Sequence, residues 1–315
     1  MNQAMILSLS FRQLYWYNII MYKKSTNLKH SKIANDLMSY IYDNFEFDIN
    51  INQLAYEYGI NKFHLCKIFK KQMGKAIYET IKFVRLQKAA NMLITNKHST
   101  ITQISDMCGY SAQTSFIRAF KERFGQTPKY WRNGGFIEYS DLILTDYEKQ
   151  YTTDINFNTL KQGLVKVKPR KAYYCRQTGY SSNYKEIWEK MAAWIYTYNL
   201  KEYELIGIYH NNPTIIPLSK CSYVACVVPK DEDIDLTNNS LPVLQIDECL
   251  CITFEIEGTH TDILMLIKWV YNEWLPNSGY EKTIIPSYMI FEDDTIVDNN
   301  GIVKGSYYVP VRSIF

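Results

Sequence analysis

The chain has 315 residues, 47% of them hydrophobic, and a formal net charge of +3; that length and apolar content support two cored domains and exclude a disordered chain. The small net charge hides a division, because residues 1–135 carry 19 Lys and Arg against 8 Asp and Glu, and the remainder 16 against 24. A basic half followed by an acidic half points the first toward a polyanion, since clustered cations release counterions from phosphates, although charge alone does not separate DNA from RNA or an anionic membrane.

At the start, Met5 to Met21 is apolar and aromatic, but Arg12, Gln13 and several serines interrupt it and it falls short of a membrane span. It lacks the basic start and small-residue cleavage site of a signal peptide. Residues 1–20 read as a poorly ordered extension, with Met21 a candidate start, and 1–30 is set apart as an N-terminal extension to the first domain. Seven cysteines (66, 108, 175, 221, 226, 249 and 251) form an odd set without CxxC or Cys/His ligand spacing. They are expected to be reduced, mostly buried thiols of a cytoplasmic protein, with neither a disulfide framework nor a metal site. Cys249 and Cys251 share one strand face by alternation.

The basic half contains a duplication. Ile51-x-x-Leu54-Ala55-x-x-x-Gly59-Ile60-Asn61 matches Ile101-x-x-Ile104-Ser105-x-x-x-Gly109-Tyr110-Ser111 at an offset of 50; after one inserted residue, Leu65-x-x-x-Phe69-Lys70-x-x-x-Gly74 matches Phe116-x-x-x-Phe120-Lys121-x-x-x-Gly125 at an offset of 51. Each copy reads as a short helix, a turn at a glycine needing positive φ, an N-cap at Asn61 or Ser111, and a second helix ending near another glycine. Between them, Ile81, Val84, Leu86, Ala89, Ala90 and Leu93 predict one joining helix over 77–94.

On a wheel of about 100° per residue, Leu65, Ile68 and Phe69 gather on one arc of the first copy's second helix and Phe63, Cys66, Lys67 and Lys70 on the other. In the second copy Phe116, Phe120 and Phe124 form the buried stripe. Thr114 and Arg118 lie away from it, and Gln113 lies toward the groove side. An exposed Arg one turn beyond Gln and Thr suits guanine O6/N7, with the amide available to adenine. A lone exposed Arg is ordinarily just solvated; the paired units and the charge favour double-stranded DNA.

Residues 34–132 resemble the tandem helix-turn-helix domain of the AraC family of transcription regulators. The match rests on Gly109-Tyr110, Ser115-Phe116-x-Arg118-x-Phe120-Lys121 and Phe124-Gly125-x-Thr127-Pro128-x-x-Trp131-Arg132. The resemblance implies two recognition helices in successive major-groove segments about 34 Å apart. It places base reading on Phe63, Cys66, Lys67, Gln113, Thr114 and Arg118. Phosphate contacts are expected from Asn61, Lys62, His64, Lys70, Ser111 and Lys121. The domain is assigned to 31–135.

After Gly134-Gly135 the pattern turns strand-like, and 136–162, polar from Thr145, is read as a linker. The domain at 163–315 holds two blocks of order β-α-β-β: Lys171–Thr178, Tyr184–Tyr198, Leu205–Tyr209 and Ser222–Val228, then Cys249–Ile256, Asp262–Trp274, Tyr288–Phe291 and Tyr307–Val311. The fold class is thus multidomain, an all-α tandem helix-turn-helix domain followed by an α+β domain. Pseudo-symmetric pairing would put both helices on one face of a single sheet and leave a cleft on the other.

This half resembles the GyrI-like effector-binding domain over 164–313, through Gly207-Ile208-Tyr209-His210-Asn211-Asn212-Pro213, Lys220-Cys221-Ser222-Tyr223-Val224-Ala225-Cys226 and Trp274-Leu275-Pro276-x-Ser278-Gly279-Tyr280. The resemblance implies a small-molecule effector. Tyr173, Tyr209, Tyr223, Trp269, Tyr288, Met289 and Tyr307, with Glu255 as an acid, are the expected pocket set. In that family a glutamate commonly follows the proline of a late strand; Met289 holds that place here, which implies a more neutral ligand or a degenerate pocket. Two alternatives stand beside a regulator without catalytic residues or cofactor. One is a small hydrolase using Glu255 or Glu257. The other is a ligand-free module binding a protein such as RNA polymerase or a topoisomerase.

Overall fold

A computed structural model of the protein describes residues 11–144, 152–180, 184–230, 236, 239, 241–292, 296 and 301–314, with side chains from residue 26 onward. The reading of residues 1–10 as an extension lies outside the described residues, whereas 11–20 are helical. The chain divides into two compact units, Met1–Tyr42 with Ile49–Ile81, and Asp43–Asp48 with Lys82–Phe315.

In the first unit, helix α1 (Phe11–Asn44) precedes α2 (Ile51–Glu57) and α3 (Lys62–Met73). Asn50 and Asn61 cap α2 and α3: the Asn61 carboxamide oxygen accepts the His64 N–H at 2.8 Å. Gly59 and Gly74 take φ of 64° and 76°, the left-handed conformation that closes each turn without a Cβ penalty. Leu54, Leu65, Ile68 and Phe69 are buried, as the spacing predicts.

The joining helix α4 (Ile77–Thr95) leads into the second unit and buries Val84, Leu86, Ala89, Ala90 and Leu93. Next come α5 (Ile101–Met107), with a capping box from Thr100 and Gln103, the turn at Gly109 (φ 74°), and α6 (Gln113–Phe124). The expected cap at Ser111 is corrected: Ala112 stands at the N-cap of α6 and supplies no side-chain bond. The residue inserted in this copy moves Ser111 one place back from the helix start. Phe120 and Phe124 pack on Trp131, with ring centroids 5.5 and 4.8 Å away, and the Trp131 indole N–H donates to the Ala90 carbonyl at 3.1 Å.

The strand-like reading after Gly135 is also corrected, since Phe136–Leu144 is a helix, α7. Tyr139 meets both Phe124 and Trp131, so docking one helical face on the aromatic stripe overrides the local bias of this apolar run.

Nine strands are described: β1 (Gln162–Val167), β2 (Arg170–Thr178), β3 (Tyr203–Tyr209), β4 (Ser222–Pro229), β5 (Val243–Ile246), β6 (Cys249–Thr259), β7 (Tyr280–Lys282), β8 (Ser287–Phe291) and β9 (Ile302–Ser313). Helix α8 (Tyr184–Thr197) follows β2, and α9 (His260–Trp269) follows β6. The order β1-β6-β9-β8-β3-β4-β2-β5 places the expected blocks side by side, joined at β8 and β3, with β7 on β9. The short strands exchange partners: β1, before the first block, pairs with β6 of the second, and β5, before the second, pairs with β2 of the first. β1 and β5 therefore form the two outer strands of the sheet, each contributed from outside the block it flanks.

Residues of both helices, among them Trp188, Met191, Ile263 and Ile267, pack with Leu205, Tyr209, Ala225, Phe254 and Phe291 on one sheet face. Tyr174, Ile206, Ile208, Val224, Cys226, Cys251 and Tyr288 form a separate cluster on the other. Cys249 and Cys251 share that second face with sulfurs 3.4 Å apart, and all seven cysteines are free thiols.

Candidate functional site

The second helix of each repeat presents an outward arc because its apolar arc is held inside. On α3, Phe63 is 86% exposed; Asn61, His64, Lys67 and Lys70 are exposed, and Lys62 and Cys66 half-buried. The His64 ring meets His30 of α1 edge-on at 5.5 Å. Burial first, then His64, Lys71 and Lys29, hold the His30 imidazole below its ordinary proton affinity. This basic group joins residues far apart in the chain, so spacing within one helix gave no sign of His30.

On α6, Gln113, Thr114, Arg118 and Lys121 are exposed, as is Ser111 before it. Glu122, the one acid on this helix, accepts a bond from Lys82 of α4 at 2.8 Å. That bond, with Arg118 contributing, keeps its carboxyl below the usual range. Lys82 thus engages the acid nearest Arg118 along the helix. Arg and Gln side chains supply the bidentate donor and acceptor geometry that major-groove base edges require.

In the sheet domain the structure brings together Tyr209, Tyr223, Met289 and Tyr307 of the expected pocket set. Met289 lies between Gly207 and Tyr307 in the strand register. Tyr209 faces Tyr223 across β3 and β4, with rings 5.2 Å apart, and reaches Tyr307 at 6.3 Å. The sequence reading missed Tyr180, Tyr184 and His260, which close this cluster. Tyr180 packs on Tyr209 at 5.4 Å, Tyr184 on Tyr223 at 4.5 Å, and His260 on Tyr184 at 3.8 Å. The Trp188 indole N–H donates to the Tyr223 hydroxyl at 3.2 Å. The cluster therefore lies on the helix-covered face; the expected cleft on the opposite face is replaced there by the apolar cluster around Tyr288.

Four expected pocket residues stand elsewhere. Tyr288 neighbours Met289 in a strand, so alternation turns it to the other face, where it stacks on Tyr308 at 5.1 Å. Glu255 is exposed and bonds Lys161 at 2.7 Å, pointing away from the face that Phe254 joins. Tyr173 stacks on Trp194 at 5.1 Å, and Trp269 packs on Phe157 and Phe254. The acid that the hydrolase alternative needs is thus on the solvent side of the sheet; Glu257, two residues on, is exposed as well.

The cluster is neutral. Burial pushes the Tyr180, Tyr184, Tyr209, Tyr223 and Tyr307 phenols well above their ordinary range and lowers His260 to about 4. The cluster is aromatic and closely packed, and the Tyr184 hydroxyl and His260 Nε2 are buried without a hydrogen-bond partner among the described residues. Buried polar atoms left unpaired are costly. A ligand bringing one donor and one acceptor would relieve both.

Among the described residues no helix is long and apolar enough to cross a membrane, and no three His, Cys, Asp or Glu side chains are grouped to hold a metal. A model of the GyrI-like small molecule binding domain matches residues 164–312, and a helix-turn-helix domain model matches 54–134. The chain is 33% identical over 105 residues to the probable transcription factor PqrA of Proteus vulgaris, covering 33% of this chain and 85% of that protein. It is 35% identical over 96 residues to the xylose operon regulatory protein of Escherichia coli K12; the match covers 30% of this chain and 24% of that one, so this chain spans about a quarter of that relative. A solved structure of a probable AraC family transcriptional regulator from Rhodopseudomonas palustris CGA009 matches 32% of this chain and 94% of its own, at 28% identity and a TM-score of 0.30.

Proposed function

The chain belongs to the AraC family of helix-turn-helix transcription regulators and carries a GyrI-like domain, and from that premise we propose that it binds specific double-stranded DNA under the control of a small, uncharged, aromatic-compatible molecule. The exposed arc of Gln113, Thr114 and Arg118, set above the buried phenylalanine stripe, carries the DNA half of this reading. The stripe fixes the helix rotation, so the arc has one direction to face. Base reading is assigned to these three residues with Phe63, Cys66 and Lys67. Phosphate contacts are assigned to Asn61, Lys62, His64, Lys70, Ser111 and Lys121.

The effector half rests on the neutral tyrosine cluster. A cation would have to be desolvated there without a carboxylate to meet it, which disfavours it strongly. A gel shift on DNA selected from a random pool tests the reading. Affinity should fall steeply with salt, by about 0.9 in log K per log unit of salt for each phosphate contact. Binding indifferent to both salt and sequence would refute it.

A further inference from the structure

The second helix-turn-helix and the sheet domain lie in one compact unit and share an apolar core, and beside that core they are joined by polar bonds, several of them buried. Glu281, 3% exposed, accepts the backbone N–H groups of His98 and Ser99 at 3.1 and 2.9 Å, the Ser99 hydroxyl at 2.8 Å and the Arg312 guanidinium at 2.7 Å. The Asn96 carboxamide exchanges two bonds with the Lys282 backbone, both 3.0 Å, and the Lys88 ammonium donates to the Ile284 carbonyl at 2.5 Å. These contacts use α4 and the loop after it, and they leave Gln113, Thr114 and Arg118 exposed. A ligand in the sheet domain therefore does not act on this repeat by uncovering its reading surface. Its effect must pass through the contacts themselves.

Asn211 links those contacts to the tyrosine cluster by hydrogen bonds. Asn211 follows Tyr209 at the end of β3 and is 4% exposed. Its backbone N–H donates to the Tyr180 hydroxyl at 2.9 Å, and the same hydroxyl donates to its carbonyl at 3.0 Å. Its side-chain oxygen accepts the Ser222 N–H at 2.6 Å, and its side-chain amide donates to the Gln87 carboxamide oxygen on α4. The Tyr180 ring is part of the cluster, so a ligand that displaces it must disturb both backbone bonds of Asn211. Gln87, equally buried, has its own NH2 without a partner among the described residues. This arrangement therefore already carries an unsatisfied donor, and a shifted one that pairs it starts with an energetic advantage.

We propose that Asn211 is the coupling residue between the tyrosine cluster and the second helix-turn-helix, transmitting displacement of Tyr180 to α4 through Gln87. The proposal rests on the cluster being the effector site, but its test needs no effector. A double-mutant cycle of Tyr180→Phe and Gln87→Ala is measured in the full chain by denaturant unfolding. The unfolding constant of the double variant should depart from the product of the single effects by about threefold or more, and that departure should vanish in an Asn211→Ser background. Additivity within a factor of two, with Asn211 intact, overturns the proposal. Amide hydrogen exchange guards against a folding defect in any one variant: Tyr180→Phe alone should speed exchange over Lys88–Asn96, and a change confined to residues near 180 and 211 overturns the proposal equally. Binding of the neutral fluorophore N-phenyl-1-naphthylamine separates the two readings. Its failure to bind wild-type protein counts against the effector site while leaving the result of the cycle standing.

Discussion

Met289 on β8 stands opposite Gly207 on β3, in register at the seam between the two blocks, and a Cβ at Gly207 would overlap the Tyr223 hydroxyl. The centre of the cluster is therefore filled by a tyrosine leaning over a glycine, with a thioether beside it. Met289→Glu would bury a carboxyl among phenols and raise its pKa in the folded state. Such a group is protonated and tolerated below its raised pKa, and its stability contribution is lost as pH rises through that value. Thermal unfolding should show a destabilisation of about 3 kcal/mol or more at pH 8 and markedly less at pH 5. A loss independent of pH would show that the position is not enclosed as described.

Gly109 and Gly59 occupy matching turns with φ of 74° and 64°, but their surroundings differ. A Cβ at Gly59 meets nothing within 4 Å, whereas one at Gly109 meets the carbonyl oxygens of Glu46 and Phe45 at 2.6 and 2.9 Å. Gly59→Ala should cost about 1 kcal/mol, the left-handed penalty alone. Gly109→Ala should cost about 2 kcal/mol more, because backbone must move. Equal losses in urea unfolding would contradict this difference between the turns.

His260 is half-buried with its Nε2 enclosed, and burial holds its imidazole near 4, against 6.5 for an ordinary imidazole. Its folded pKa is depressed, so the unfolded chain takes up the proton first as pH falls, and stability drops between about 6.5 and 4. His210 is shifted in the same direction by burial, while Asp43, raised to about 6 first by burial, opposes them at the acid end. Comparison with His260→Gln cancels those shared contributions. The wild-type protein should lose up to about 3 kcal/mol relative to the variant between pH 7 and pH 4. Parallel stability curves would place His260 in contact with water.

Much of the helical half was legible because its signals are local. The phenylalanine stripe follows from a four-residue spacing, and the turn glycines from the need for positive φ. The misread cap at Ser111 came from carrying the first repeat's offset past the inserted residue. Phe136–Leu144 misled because its apolar residues suit a strand until Trp131 offers a surface to a helical face. In the sheet, strict alternation already separates Tyr288 from Met289 and Glu255 from Phe254, so their opposite facing was available from parity once a strand was assigned. Tyr180 and Tyr184 were harder to find, since one follows β2 and the other opens α8, and they join the cluster only when the helix folds over the sheet. The bonds from Glu281 to Ser99 and from Asn211 to Gln87 span more than a hundred residues. Polar contacts between distant segments leave no periodic trace in either one.

Phe120 is fully buried between Phe116, Phe124 and Trp131. Phe120→Ala should destabilise the protein by about 3–5 kcal/mol and abolish DNA binding with it. Phe63→Ala, at an 86% exposed position, should leave stability within about 0.5 kcal/mol while weakening DNA binding. Circular dichroism melts beside gel shifts distinguish the two roles, and comparable melting losses would refute the division between supporting and reading residues.

Base reading by Arg118, aimed by the buried phenylalanines, is what the proposed function depends on most. Selection of bound sequences from a random DNA pool by wild-type and Arg118→Ala protein, at one salt concentration, measures it without intermediaries. The variant should lose preference at one base pair, worth about 1–3 kcal/mol, and keep the preferences set elsewhere in the site. An unchanged selected sequence, with affinity lowered uniformly or not at all, would contradict the assignment.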